Sequence, residues 1–98
     1  YLNVAMINKN IITIRKKLDK LDNRFLKLIK IRTKLVDQVI LNKKFKKNIV
    51  DKKRISIILK TIEYKSKKIK IDPKITKRIW SSMIKAYIEY EFKNFRKK

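Results

Sequence analysis

From Ile11 to Val39 apolar side chains recur at alternating spacings of three and four: Ile11, Ile14, Leu18, Leu21, Phe25, Leu28, Leu35 and Val39. With Arg32 in the one polar place of that register, the series makes a helical seam of about four and a half heptads. The opposite face carries Lys16, Lys17, Lys20, Asp22, Asn23, Lys27, Lys30 and Lys34, a solvated surface. Asn8 or Asn10 is a fair N-cap, and the predicted helix runs to about Lys43 or Phe45, roughly 50 Å long. That exceeds what a 98-residue globule needs. A helix of this kind usually belongs to a coiled-coil-like dimer or a bundle.

The period is lost over Lys44 to Val50, which reads as a loop. Asp51 caps a second predicted helix, Lys52 to about Lys67, with Ile55, Ile58, Leu59 and Ile62 on its inner face. Arg54 borders that face. Its spacing fits a surface pair with Asp51 at i,i+3 and a place in a site equally well. Lys65 to Lys70 forms a basic connector, and Asp72-Pro73 opens a third helix that runs to about Phe95. Ile75, Ile79, Met83, Ile84, Tyr87 and Ile88 face inward, with Phe92 and Phe95 beyond. Trp80 and the Tyr and Phe residues read as core and interface rather than as base-stacking platforms. The expectation is an all-α fold of three helices in one domain spanning residues 1–98.

Two polar residues interrupt the apolar stripes. Arg32 stands where the seam calls for Leu or Ile, and a guanidinium costs several kcal/mol to desolvate without a partner, so the seam expects an anion there. Glu91 lies three residues from Ile88, four from Tyr87 and seven from Ile84, on the stripe of the third helix. It reads either as a carboxylate paired with a nearby lysine, or as an acid kept protonated by desolvation so that it can donate a hydrogen bond. Nearby cations oppose the second reading.

Composition narrows the chemistry. Absence of Gly and a single Pro, Pro73, argue for few turns and long elements. Without Cys or His the chain lacks disulfides, thiolate chemistry, the usual metal ligands and the commonest general base. Walker and dinucleotide loops need glycine and are excluded. No apolar run approaches the roughly 18 residues that span a membrane, and Tyr1 to Asn10 has no signal-peptide layout. A start at Tyr1 rather than Met suggests processing or a piece of a longer chain. The formal charge of +22 raises nucleic-acid binding through phosphate contacts. The lysines, however, are spread over every helix. The joint richness in Ile, Asn and Lys is the mark of A/T-rich coding, which swaps surface residues for Lys without functional intent. In that background the arginines are the more informative cations: Arg15, Arg24, Arg32, Arg54, Arg78 and Arg96.

Arg32 and Lys43 are about 16 Å apart along the helix, room for one small dianion between their side chains. Arg15 lies about 25 Å before Arg32, too far to share that ligand within one chain. A second copy laid across the seam could bring its Arg15 there, so the geometry predicts a dimer with shared sites. Arg, Lys and a protonated Glu offer no strong nucleophile. They suit a reaction that needs orientation and electrostatic stabilisation alone.

The chain resembles the all-helical AroQ class of chorismate mutases over nearly its whole length. The resemblance rests on Ile14-Arg15, Leu18-Asp19-Lys20-Leu21-Asp22, Arg32, Lys43, Asp51-Lys52-Lys53-Arg54 and Ile71-Asp72-Pro73, in that order and spacing. It implies an intertwined homodimer of three-helix chains with two active sites in the cytoplasm. The implied reaction is the cofactor-free Claisen rearrangement of chorismate to prephenate, in the shikimate pathway to aromatic amino acids. It further implies that Arg32 and the partner subunit's Arg15 hold the substrate's two carboxylates. Lys43 then faces the ether oxygen, and Glu91 takes the place of the second ether-oxygen donor, commonly Gln. A Glu there must be protonated to donate, so activity is expected to fall as pH rises. Asp51 and Arg54 frame the ring end of the pocket, and Ile55 and Tyr87 join the substrate-binding positions.

Ile55 departs from the pattern. The family often has Glu directly after the Arg54 position, where it binds the ring hydroxyl. An apolar residue there, with the tail from Tyr87-Ile88 through Lys93 and Arg96, is similar to the sister branch, the isochorismate pyruvate lyases that form salicylate. The mutase reading leads, the lyase follows, and a basic helical nucleic-acid-binding protein ranks third.

Overall fold

The structure is a computed structural model that describes the backbone of residues 2–96 and the side chains of residues 8–96. Its order is α1 (Leu2–Asn42), a 3-10 turn (Lys46–Asn48), α2 (Lys52–Lys68) and α3 (Pro73–Asn94). The fold is all-helical, with no strand among the described residues. By compactness it falls into two units, Tyr1–Leu35 and Val36–Lys98. No helix among the described residues is long and apolar enough to cross a membrane.

α1 begins earlier than its capping signals suggest. Asn8 and Asn10 lie inside the helix rather than at its start. An Asn within a helix costs only a few tenths of a kcal/mol. Extending an existing helix adds one hydrogen bond per residue fixed, so the good helix formers Leu2, Ala5 and Met6 carry it upstream. The first unit is a stretch of this helix whose seam lies open. Ile14, Leu18, Leu21, Phe25, Leu28 and Leu35 are all exposed, Leu28 to 62%.

The second unit contains the hydrophobic core, built from Ile40, Ile49 and Phe95 with Val36, Ile88 and Tyr90 packed against them. Ile49 comes from the stretch expected to be a plain loop. The 3-10 turn, closed by Asn48 N–H to Phe45 O and Ile49 N–H to Lys46 O, drops Ile49 to 3% exposure. Asp51 caps α2 as expected, its carboxylate accepting the Arg54 backbone N–H at 2.9 Å. Such a cap is worth about 1 kcal/mol. The half-buried face of α2 is the expected one: Ile55, Ile58, Leu59 and Ile62.

α2 runs into the predicted basic connector and ends in a Schellman motif. Ile71 N–H bonds Ser66 O at 2.9 Å and Lys70 N–H bonds Lys67 O at 3.1 Å. Lys70 takes the left-handed position, φ 61°, which Gly fills in most helices. Asp72 then caps α3, accepting from Lys74 N–H at 3.0 Å, with Pro73 in the first turn.

α2 and α3 pack together as a helical hairpin, pinned near its turn by two buried hydroxyls. Ser66 Oγ donates to Ile62 O at 2.6 Å, leaving its lone pairs to accept from Thr76 Oγ1 at 2.7 Å. Thr76 also corrects the expected inner face of α3. Ile75 and Ile79 are exposed, as is Phe92, while Thr76, Glu91 and Phe95 are buried and Trp80, Met83, Ile84, Tyr87 and Ile88 half-buried. The packed stripe is therefore rotated by one position at the start of α3, because the Ser66–Thr76 bond fixes its register against α2.

Candidate functional site

Lys43 sits just beyond the end of α1, its N–H still bonded to Ile40 O at 3.1 Å. The chain leaves the helix there, and the ammonium turns inward. Its Nζ donates to Glu91 Oε1 at 3.0 Å and to Ile49 O at 3.3 Å. Glu91 is 8% exposed, the only buried acid among the described residues. A buried carboxylate is tolerated when a cation and hydrogen bonds replace its lost hydration, and Lys43 supplies both.

The other expected residues of the second unit are arranged around this pair unevenly. Asp51 shares a surface depression with Lys43, lined also by Asn42, Phe45, Asn48 and Lys52. The Asp51 carboxylate is engaged in capping α2 through the Arg54 backbone, while the Arg54 side chain is exposed. Ile55 is half-buried and lines a different groove, with Leu59, Pro73 and Lys77. Tyr87 is half-buried and meets the Tyr90 ring edge-to-face, centroids 6.3 Å apart. Arg15 and Arg32 belong to the first unit, where Arg15 is exposed and Arg32 half-buried.

One contact beside the pair escaped the sequence reading. The Tyr90 hydroxyl donates to Asp37 Oδ1 at 2.6 Å. That hydrogen bond, then desolvation and the negative charge of Asp37, hold the Tyr90 phenol above its ordinary range. A signal was present: with 30 cations against 8 acids, each retained carboxylate is informative. Asp37, Asp51, Asp72 and Glu91 all hold a structural partner.

Fold and candidate site together define an all-helical protein whose second unit holds a largely buried lysine–glutamate pair beside a surface depression. The chain matches the family of type II chorismate mutases over residues 14–92, most of its length, and belongs to that family. This carries chorismate mutase-type activity on a small-molecule substrate at the level of the family. Comparison with curated proteins and with solved structures finds no match.

Proposed function

We propose that this protein is a cytoplasmic chorismate mutase that rearranges chorismate to prephenate as a homodimer of single-domain chains, without a cofactor. The observation that carries the reading is the pair of half-buried Lys43 and buried Glu91, at the positions of the family's ether-oxygen donors. In the rearrangement one ether C–O bond breaks while one C–C bond forms, and no atom is gained or lost. Negative charge develops on the ether oxygen. The Lys43 ammonium donates to it, and Glu91 in its acid form donates alongside. One such pre-organised donor is worth about 3–4 kcal/mol, or 10² to 10³ in rate.

Arg32 and the partner subunit's Arg15 hold the two substrate carboxylates, fixing the conformer from which the new bond forms. The exposed seam of α1 supports the dimer that this division of labour needs. Asp51 and Arg54 frame the ring end, and Tyr87 and Ile55 are the remaining substrate-binding positions, although Ile55 lines a separate groove in the single chain.

A second reading, isochorismate pyruvate lyase, is favoured by one observation. Ile55 offers no acceptor for the ring hydroxyl, and it is half-buried against an apolar groove. The lyase breaks the same ether bond while a ring hydrogen passes to the enolpyruvyl carbon, releasing pyruvate and salicylate. The test is incubation of purified protein with chorismate and, separately, isochorismate, following prephenate and salicylate. Prephenate alone supports the mutase and salicylate alone the lyase. Neither product defeats both.

A further inference from the structure

Two bonds within the second unit, Tyr90–Asp37 and Glu91–Lys43, tie the last turns of α3 to the end of α1 and the residue just beyond it, and the first of them involves neither of the residues expected to do chemistry. On one side stand Asp37 and Lys43, flanking the buried Ile40 three residues to either side. On the other stand Tyr90 and Glu91, neighbours in α3. Tyr90 bonds Asp37 at 2.6 Å and Glu91 bonds Lys43 at 3.0 Å, so α3 straddles Ile40 with one polar contact before it and one after. Adjacent helical residues point about 100° apart. The pair therefore constrains both the rotation and the axial position of α3, which the apolar contacts of Ile40, Ile49 and Phe95 leave less sharply defined. Hydrogen bonds have narrow geometry, whereas burial is non-directional.

We propose that Asp37 and Tyr90 are positioning residues that set where the Glu91 carboxyl and the Lys43 ammonium stand. The proposal rests on the function assigned above to Lys43 and Glu91. Tyr90 is placed to do this because its ring packs on the core while its hydroxyl reaches Asp37. The same ring meets Tyr87 edge-to-face, so one side chain braces two expected site residues, one covalently adjacent and one a turn earlier. The bond is also charge-assisted, an O–H to a carboxylate, and so stronger than a neutral one. Without it, the last turns of α3, about four turns beyond the Ser66–Thr76 bond that fixes the start of the helix, can twist slightly with their apolar contacts intact. A displacement of about 1 Å at a reacting centre costs up to 10²-fold in rate.

The test uses Tyr90→Phe, which keeps the ring and removes only the hydroxyl, with Asp37→Ala, Asp37→Asn and the double variant Asp37→Ala/Tyr90→Phe. Tyr64→Phe, at an exposed tyrosine on α2, serves as control. Tyr90→Phe and Asp37→Ala are expected to lower kcat about tenfold with KM within about twofold, equivalent to about 1.4 kcal/mol in the transition state alone. The double variant is expected to lose no more than either single one, because both remove one bond. Asp37→Asn keeps an acceptor for the hydroxyl and should recover most of the rate. A second readout needs no turnover: the side-chain carboxyl ¹³C resonance of Glu91, recorded in folded protein, should move in Tyr90→Phe and Asp37→Ala but not in Tyr64→Phe. If the wild type turns over neither substrate, the functional reading fails and this resonance alone decides the positioning role. An unmoved Glu91 resonance, unchanged kcat in a folded Tyr90→Phe protein, or a loss confined to KM overturns the proposal.

Discussion

Lys43 and Glu91, 48 positions apart in sequence, meet at 3.0 Å with both side chains largely out of water. An ion pair is the wrong protonation state for the work proposed. Lys43 spends its charge on the carboxylate, and an ionised Glu91 can only accept. The proposed chemistry needs Glu91 as an acid, donating beside Lys43 to the same oxygen.

The first prediction concerns the donor role proposed for Glu91. Glu91→Gln keeps a hydrogen-bond donor at that position and should retain or raise kcat, whereas Glu91→Ala, which has none, should lower it about 10²- to 10³-fold. Steady-state kinetics of the folded variants checks this; an unchanged kcat in Glu91→Ala would count against a donor at this position.

Removing one partner of the pair should destabilise the fold. Lys43→Met leaves Glu91 buried without its cation and is expected to cost about 2–3 kcal/mol, below the usual range for a fully buried pair because Lys43 keeps some exposure. The compensating double variant Lys43→Met/Glu91→Leu should recover most of that stability while remaining inactive. Chemical denaturation at fixed protein concentration measures both. A single variant as stable as wild type would mean that the pair contributes nothing to folding.

Arg32 separates an enzyme from a structural or nucleic-acid-binding helix. Arg32→Lys should lower kcat/KM by at least about 10²-fold, since a point charge does not replace a planar two-pronged donor on a carboxylate. Arg32→Leu should abolish turnover yet stabilise the seam, because an apolar residue there needs no anion. Retained activity in Arg32→Lys argues against carboxylate binding at this position.

Lys70 offers a test of backbone strain away from the site. It holds φ 61° at the end of α2 in a chain without glycine. Lys70→Gly should raise stability by about 0.5–1 kcal/mol, the relief of Cβ crowding exceeding the added freedom of the unfolded chain. A higher urea midpoint with an unchanged slope is the expected result; a lowered midpoint would mean that the lysine side chain contributes more than its backbone costs.

Much of the fold was legible because its signals are local. Asp51 and Asp72-Pro73 mark helix starts through side-chain geometry that acts within three residues. Ile55, Ile58, Leu59 and Ile62 declare their face by period alone. Less legible was anything decided between elements. Ile75 and Ile79 carry the right period for the inner face of α3, but Thr76 takes that place through its bond to Ser66, and no one-dimensional pattern pairs two hydroxyls ten residues apart. The start of α1 is not set by Asn8 or Asn10, because a capping preference is weak against propagation of a long helix. Of the site, Glu91 was visible as an acid on an apolar stripe. Its partner in the folded chain was not, since many lysines lie within plausible reach of it. Asp37 and Tyr90 went unnoticed for a related reason, each sitting where a surface residue is ordinary.

The open seam of α1 has a consequence for how much activity a given amount of protein delivers. In the homodimer proposed above, the uncovered apolar seam of α1 from Ile14 to Leu35 is sheltered by a second molecule, so that folding, pairing and completion of the site share one mass-action equilibrium. Dilution then acts as an inhibitor. Specific activity per chain falls with the total concentration once it drops toward the dissociation constant, and the rate per volume changes from first to second order in protein. Abundance itself becomes a control on flux, without any effector having to bind.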